Sequence, residues 1–230
     1  MSVIKFPGEG DRNKRKQSNG GWPPRKPKNH QPILNLPPGV KYFAGALFVV
    51  HLVMFLLPYL GMQELALKIK YFGAFQNSRI ADGDLTALFT PVTSAFLHSD
   101  WFHLGMNTLW LLVFGSAVEK SFGTKNFGLI SIGSAIGGKF LFYLLAVPQA
   151  SAIGASGVTS GLMAAVCLLM YRGSMIPSQG IKILVGLFLF FNLIWVPMTG
   201  AKIAWQSHIG GFLAGGALMY ALMNGASGRR

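Results

Sequence analysis

Six apolar runs separated by charged or polar connections constrain this 230-residue chain more than any other feature. They lie at about 41–60, 96–118, 126–147, 156–171, 181–198 and 203–223. A helix needs about 20 apolar residues to cross a hydrocarbon core of roughly 30 Å. Inside lipid every backbone polar group must be satisfied within its own segment, so each run is read as a helix. Composition agrees: 51% of residues are hydrophobic and 12% are charged, against about 25% charged in soluble domains. The expected fold is an all-α polytopic membrane protein, a bundle of six transmembrane helices. The one cysteine, Cys167, lies in an apolar run and is read as a small buried hydrophobe, leaving no disulfide framework or cysteine metal site.

The net charge of +13 would fit nucleic-acid binding if it were spread over a folded surface. Instead, residues 1–40 gather Lys5, Arg12, Lys14, Arg15, Lys16, Arg25, Lys26 and Lys28 among many Pro, Gly and Asn. Such a segment is too polar to build a core. It is read as a disordered basic cytoplasmic tail, with residues 41–224 as the membrane domain and 225–230 as a short cytoplasmic C-terminal tail. Lys120, Lys125, Arg172, Lys182, Arg229 and Arg230 fall on the same side as the tail, and Lys68, Lys70, Arg79 and Lys202, with Glu64, Asp82, Asp84 and Asp100, on the other. By the positive-inside rule both termini are cytoplasmic, as an even span count requires. No apolar stretch and cleavage site of the secretory kind follow the first basic residues. The expected partner of this charge is the lipid bilayer, not nucleic acid. The expected home is a bacterial inner membrane.

The connection from 61 to 95 is long for a compact bundle, and loops of that length are usually functional or disordered. Its stretch "LALKIKYFGAF" is apolar enough for a short interfacial helix.

Polar groups within spans are costly and mark function by default. Three clusters stand out: His98, His103 and Asn107 in "FLHSDWFHLGMNTLW", Ser156 in "GASG", and His208 in "WQSHIGGFLAGG". His103, Ser156 and His208 each precede a cytoplasmic boundary residue (Glu119, Arg172 and Asn224) by sixteen positions. At 1.5 Å per residue all three sit at one level, about 24 Å from that boundary.

One chemistry fits residues of these types at one depth. A serine hydroxyl is a weak nucleophile until a base takes its proton, and neutral histidine is the usual base near neutral pH. Ser156 and His208 would form that dyad. Acyl transfer also needs donors facing the oxyanion. His103 and Asn107, at i and i+4, share a helix face, and the Ser156 backbone amide at a helix start is a third donor. Gly157 and Gly161 on one span, and Gly211 and Gly215 on another, make two small-xxx-small faces that let backbones approach. Duller roles exist for each residue: a serine here can be an N-cap or packing residue, and an intramembrane histidine a satisfied structural group. His98 is read as structural, Asp100 as a solvated cap and Glu119 as a boundary charge. Lys139, inside the third run, fits no topological role. Ion transport would need mid-span carboxylates, and none is present.

These motifs resemble those of the rhomboid intramembrane serine proteases over roughly residues 40–224. "GASG" at 154–157 is similar to the family's Gly-x-Ser-Gly, "HLGMN" at 103–107 to its His-xxx-Asn, and "HIGGFLAG" at 208–215 to its His-xx-Gly-xxx-Gly. The resemblance implies a rhomboid-like six-helix bundle with an interfacial first loop, Ser156 as nucleophile and His208 as general base and acid. It further implies an oxyanion site at His103 and Asn107, no metal or cofactor, and cleavage of single-span membrane proteins in or near their transmembrane segment. The alternative is an inactive member of that fold that binds client transmembrane segments. Two positions depart from the family pattern. "DLTALFTPV" has Thr86 and Ala87 where the first loop usually carries Trp-Arg, and Ser160 stands where many members place an aromatic ring against the base. The orientation of His208 is then expected to fall to the Ser160 hydroxyl or to water.

Overall fold

The computed structural model describes residues 35–173, 178–199 and 203–227. Most of the basic tail, Lys202, Arg229 and Arg230 lie outside these residues. The described chain is almost wholly helical.

Helix α1 spans Pro38–Leu56, with a tighter turn continuing it to Leu60. It begins inside the stretch assigned to the tail, because proline is favoured at the first helical position and the exposed N–H groups behind it find an acceptor. The Glu119 carboxylate accepts from Gly39 N at 2.8 Å and from Val40 N at 2.7 Å. Glu119, read from the sequence only as a boundary charge, is therefore a buried helix cap. The Thr124 hydroxyl also donates to it, at 2.7 Å.

The first loop holds α2 (Gln63–Gly73), strand β1 (Phe75–Gln76), α3 (Asn77–Ala81), a tight turn at Leu85–Phe89 and α4 (Thr90–Thr93). Helix α2 leaves Leu65, Leu67, Ile69, Tyr71 and Phe72 exposed. Arg79 anchors the loop. Only 4% of it is exposed, so its charge must be matched locally. Its Nε donates to Asp84 Oδ2 at 2.8 Å, Nη2 to Thr86 Oγ1 at 2.7 Å, and Nη1 to the carbonyl of Tyr71 at 3.0 Å. Hydrogen bonds from Thr86 and Arg79 hold the Asp84 carboxyl below its ordinary range. Thr86, noted above as a departure from the Trp-Arg pattern, is thus part of the anchor.

Two helical runs, Pro38–Leu60 and Trp101–Leu145, are long and apolar enough to cross a membrane. The second comprises α5 (Trp101–Trp110), a wide turn at Leu111–Gly115 and α6 (Ser116–Leu145). The runs expected at 96–118 and 126–147 both fall in it, and Gly123 breaks it between them with φ 79° and ψ 166°. A residue without Cβ takes that conformation at no steric cost.

Strand β2 (Ser151–Ala152) pairs antiparallel with β1, Phe75 opposite Ala152 and Gln76 opposite Ser151. Asn77 donates through Nδ2 to the carbonyls of Tyr143, Ala146 and Val147, capping the end of α6. The first loop is thereby tied to the segment that leads into α7 (Ser156–Arg172). Next come α8 (Ser178–Phe190), a second wide turn at Phe191–Trp195, α9 (Val196–Thr199) and α10 (Trp205–Ser227). Helix α10 runs three residues past the expected end of the membrane domain.

Helix α10 packs on both α6 and α7, and glycines set the separation. A Cβ added at Gly211 would stand 2.7 Å from Gly157 C, and one at Gly215 would stand 2.5 Å from Gly161 Cα. On the α6 side, a Cβ at Gly210 would stand 2.7 Å from Leu141 Cβ and 3.0 Å from Gly138 Cα. The apolar core of Leu47, Leu111, Ile130, Leu162 and Met219 fills the rest.

Candidate active site

Ser156 is the first residue of α7, where backbone N–H groups lack intrahelical acceptors. The segment before it is pinned from the first loop and the stretch that leads into α5: Gly154 N donates to Ser94 O at 2.8 Å, and Ala155 N to His98 Nε2 at 3.5 Å. His98 thus touches the backbone next to Ser156. Gly154 has φ 106°, and a Cβ there would stand 2.7 Å from His103 Nε2 and 3.5 Å from Asn107 Nδ2. Absence of that Cβ is what lets His103 and Asn107 lie beside the serine's turn. Asn107 is buried and its Nδ2 has no partner among the described residues, so an amide donor stands uncommitted at this point.

Asp100 caps α5, accepting from His103 N at 2.8 Å. Its other oxygen accepts from the Ser99 hydroxyl at 2.6 Å, and Ser99 Oγ lies 3.0 Å from His103 Nδ1. Ser99 has one proton and a carboxylate can only accept, so that proton goes to Asp100 and Ser99 accepts from His103 Nδ1–H.

His208 stands on α10, and its Nδ1 lies 2.7 Å from Asn192 Oδ1. Ser160 does not orient it: the Ser160 hydroxyl donates to the Ser156 carbonyl of its own helix at 2.8 Å. Asn192 was not singled out from the sequence, although a single Asn within the apolar run 181–198 carried the signal. Lys139 finds its place here too. It is buried in α6 and its Nζ donates to Ser207 Oγ at 3.3 Å, beside His208.

Ser156, His208, His103, Asn107 and Asn192 all line one cavity of about 960 Å³. Its apolar walls include Trp110 of α5, Phe114 of the wide turn after it, and Leu184 and Phe188 of α8. Ligand pockets are typically about 300–1,000 Å³, so this one has room for several residues of a peptide. No hydrogen bond joins the Ser156 hydroxyl to His208 among the described residues. Catalytic hydrogen bonds are often long before substrate binds. The described residues contain no group of His, Cys, Asp and Glu side chains that could hold a metal ion.

A helical bundle with a serine at a helix start, a histidine on the neighbouring helix and uncommitted donors in one cleft defines a class: helical proteins carrying the parts of a serine hydrolase. The rhomboid domain model matches residues 85–225, more than half of the chain and all of the residues named in the cleft. The chain belongs to the rhomboid family, whose members are integral membrane proteins. It is 35% identical over 146 residues to the rhomboid protease GluP of Bacillus subtilis, covering 63% of this chain and 27% of that protein. It is 34% identical over 131 residues to the rhomboid protease GlpG of Klebsiella pneumoniae, covering 55% and 45%. It is 29% identical over 170 residues to the mitochondrial RHOMBOID-like protein 6 of Arabidopsis thaliana, covering 72% and 52%. The chain thus spans about half or less of the length of these relatives.

Proposed function

We propose that the chain is an intramembrane serine endopeptidase that hydrolyses a peptide bond in or near the transmembrane segment of a single-span protein. The observation that carries this reading is the shared cavity: Ser156 and His208 line it together with Asn107, whose amide donor is uncommitted. Two of the relatives above are named proteases.

In the proposed reaction Ser156 Oγ attacks the substrate carbonyl carbon while His208 Nε2 takes the hydroxyl proton. The oxyanion so formed is held by Asn107 Nδ2, the Ser156 N–H and, when its ring carries both protons, His103. Collapse of the tetrahedral intermediate breaks the C–N bond, and His208 returns the proton to the leaving amine. Water then attacks the acyl-enzyme, giving its proton to His208, and the carboxylic acid leaves as Ser156 is regenerated. A helical substrate keeps its carbonyls hydrogen-bonded and shielded, so the scissile segment must unwind to enter. Small or helix-breaking residues near the substrate's external end follow from that need.

The same reading takes the helices as six crossings, at 38–60, 101–122, 124–145, 156–172, 178–199 and 205–227, with both termini in the cytoplasm of a bacterium. It places α2 in the membrane interface, where its exposed apolar side chains meet lipid.

The test is cleavage of a reporter with such a segment in proteoliposomes, together with labelling by a serine-directed phosphonate. Ser156→Ala and His208→Ala should each abolish both. Cleavage that survives Ser156→Ala would sink the mechanism. A wild-type protein that binds the segment but neither labels nor cleaves would mark a client-binding member of the fold.

A further inference from the structure

We propose that Asn192 is the third member of the site, a positioning residue that locks the His208 imidazole in the tautomer able to act as base. This rests on the roles given to Ser156 and His208 under the proposed function.

The directions of the hydrogen bonds follow from what each atom can do. Asn192 Nδ2 donates to the Phe188 carbonyl at 2.8 Å, and a carbonyl only accepts. That bond fixes which way the amide faces and turns Oδ1 toward His208. Oδ1 in turn only accepts, so at 2.7 Å the proton between it and His208 Nδ1 belongs to the histidine. A neutral imidazole carries one N–H. With Nδ1 protonated, Nε2 keeps its lone pair and is the basic nitrogen.

The amide suits its surroundings. Asn192 is buried within an apolar helical segment, where an ionised carboxylate in the same role would be costly to desolvate. The residue also sits in the wide turn at Phe191–Trp195. Insertions of this kind re-aim side chains and recur at functional sites. The other charged or titratable groups near His208 are Lys139 from α6 and His103 from α5, and neither hydrogen-bonds its ring among the described residues. Ser160 on α7 is committed to its own helix. Asn192 is thus the group that decides the tautomer.

The experiment combines ¹⁵N spectra of histidine-labelled full-length protein in detergent with steady-state cleavage kinetics. The chain has five histidines, and His208→Gln assigns the signal. Wild type should show His208 as the Nδ1–H tautomer, and Asn192→Ala should show a mixture or the Nε2–H form. Asn192→Ala should lower kcat by about 10–100-fold, the range for losing a hydrogen bond to a histidine that becomes charged, with KM unchanged. Asn192→Asp keeps an acceptor opposite Nδ1 and should restore most of the rate. Its carboxylate would favour the imidazolium, moving the acid limb of the kcat/KM profile to higher pH. An Nε2–H tautomer in wild type overturns the proposal even if Asn192→Ala does not fold. So does an Asn192→Ala protein with wild-type kcat. The predicted tautomers in a protein that never cleaves would leave the positioning role standing and remove the protease reading.

Discussion

The Ser99 hydroxyl and the His103 imidazole meet at 3.0 Å, and the direction of that bond sets when His103 can donate elsewhere. Ser99 gives its proton to Asp100, so His103 Nδ1 must hold a proton. Nε2, which with Cε1 lies closest to where a Cβ at Gly154 would stand, then carries a second proton only in the imidazolium. In the proposed reaction His103 would therefore help hold the oxyanion only below its own pKa, and that help would fade as pH rises through it. Ser99→Ala removes the acceptor at Nδ1 and lets the neutral ring place its proton on Nε2. The alkaline limb of kcat/KM should then fall less steeply than in wild type. Superimposable limbs in the two proteins would show that His103 is not a donor to the transition state.

A stability prediction concerns Glu119, in the first turn of α6. Its carboxylate satisfies the first N–H groups of α1 from a position 80 residues away. Glu119→Ala leaves buried donors unpaired, at about 1–3 kcal/mol for each group lost. Its thermal unfolding midpoint in detergent should fall, with the phosphonate labelling rate of the folded fraction unchanged. An unchanged midpoint would mean that water replaces the cap.

The glycines of α10 differ in what an added methyl group would meet. A Cβ at Gly211 meets the Gly157 backbone, whereas one at Gly216 meets only Ala164 Cβ, at an ordinary 3.5 Å. Gly211→Ala should push α10 off α7, carry His208 away from Ser156 and cost about 100-fold in rate, as small misplacements of reacting groups do. Gly216→Ala should leave the rate intact and raise stability by about 0.5–1 kcal/mol, the gain of removing a helical glycine. Equal rates in the two variants would show that the spacing of α7 and α10 does not set the site.

How much of this was legible in the sequence depended on whether the meaning of a residue lay in its own segment. Ser156, His208, His103 and Asn107 stand in short patterns with small residues at helical spacing, so their shared cavity could be anticipated. The helices could too, because membrane-length apolar runs have few alternatives. Asn192, Glu119 and Arg79 take their roles from partners on other elements: an imidazole across the α8–α10 gap, the start of α1, and the carbonyls of α2. A lone Asn in an apolar run, a Glu at a span end and an Arg in a loop carry no spacing that names those partners. Gly123 was hidden differently, since a single residue of positive φ leaves no trace in an apolar count.

Arg79 and Asp84 set the last expectation, on the first loop. The Arg79 guanidinium binds the Asp84 carboxylate, Thr86 and the carbonyl of Tyr71 at once. Arg79→Ala should free the segment from Leu85 to Phe89, and a spin label at the exposed Leu88 reads that motion directly. The pH response has a definite sign. A carboxyl held below its ordinary range contributes stability that is complete above that range and is lost as pH falls through the lowered value. Label mobility in wild type should stay flat as pH drops to the ordinary aspartate value of 3.8 and rise only below it. In Arg79→Ala it should be high throughout and show little change over the same interval. If wild-type mobility already rises above the ordinary value, Asp84 is not what secures the loop. If the variant's label stays immobile, the tie of β1 to β2 and the Asn77 cap hold the loop without Arg79.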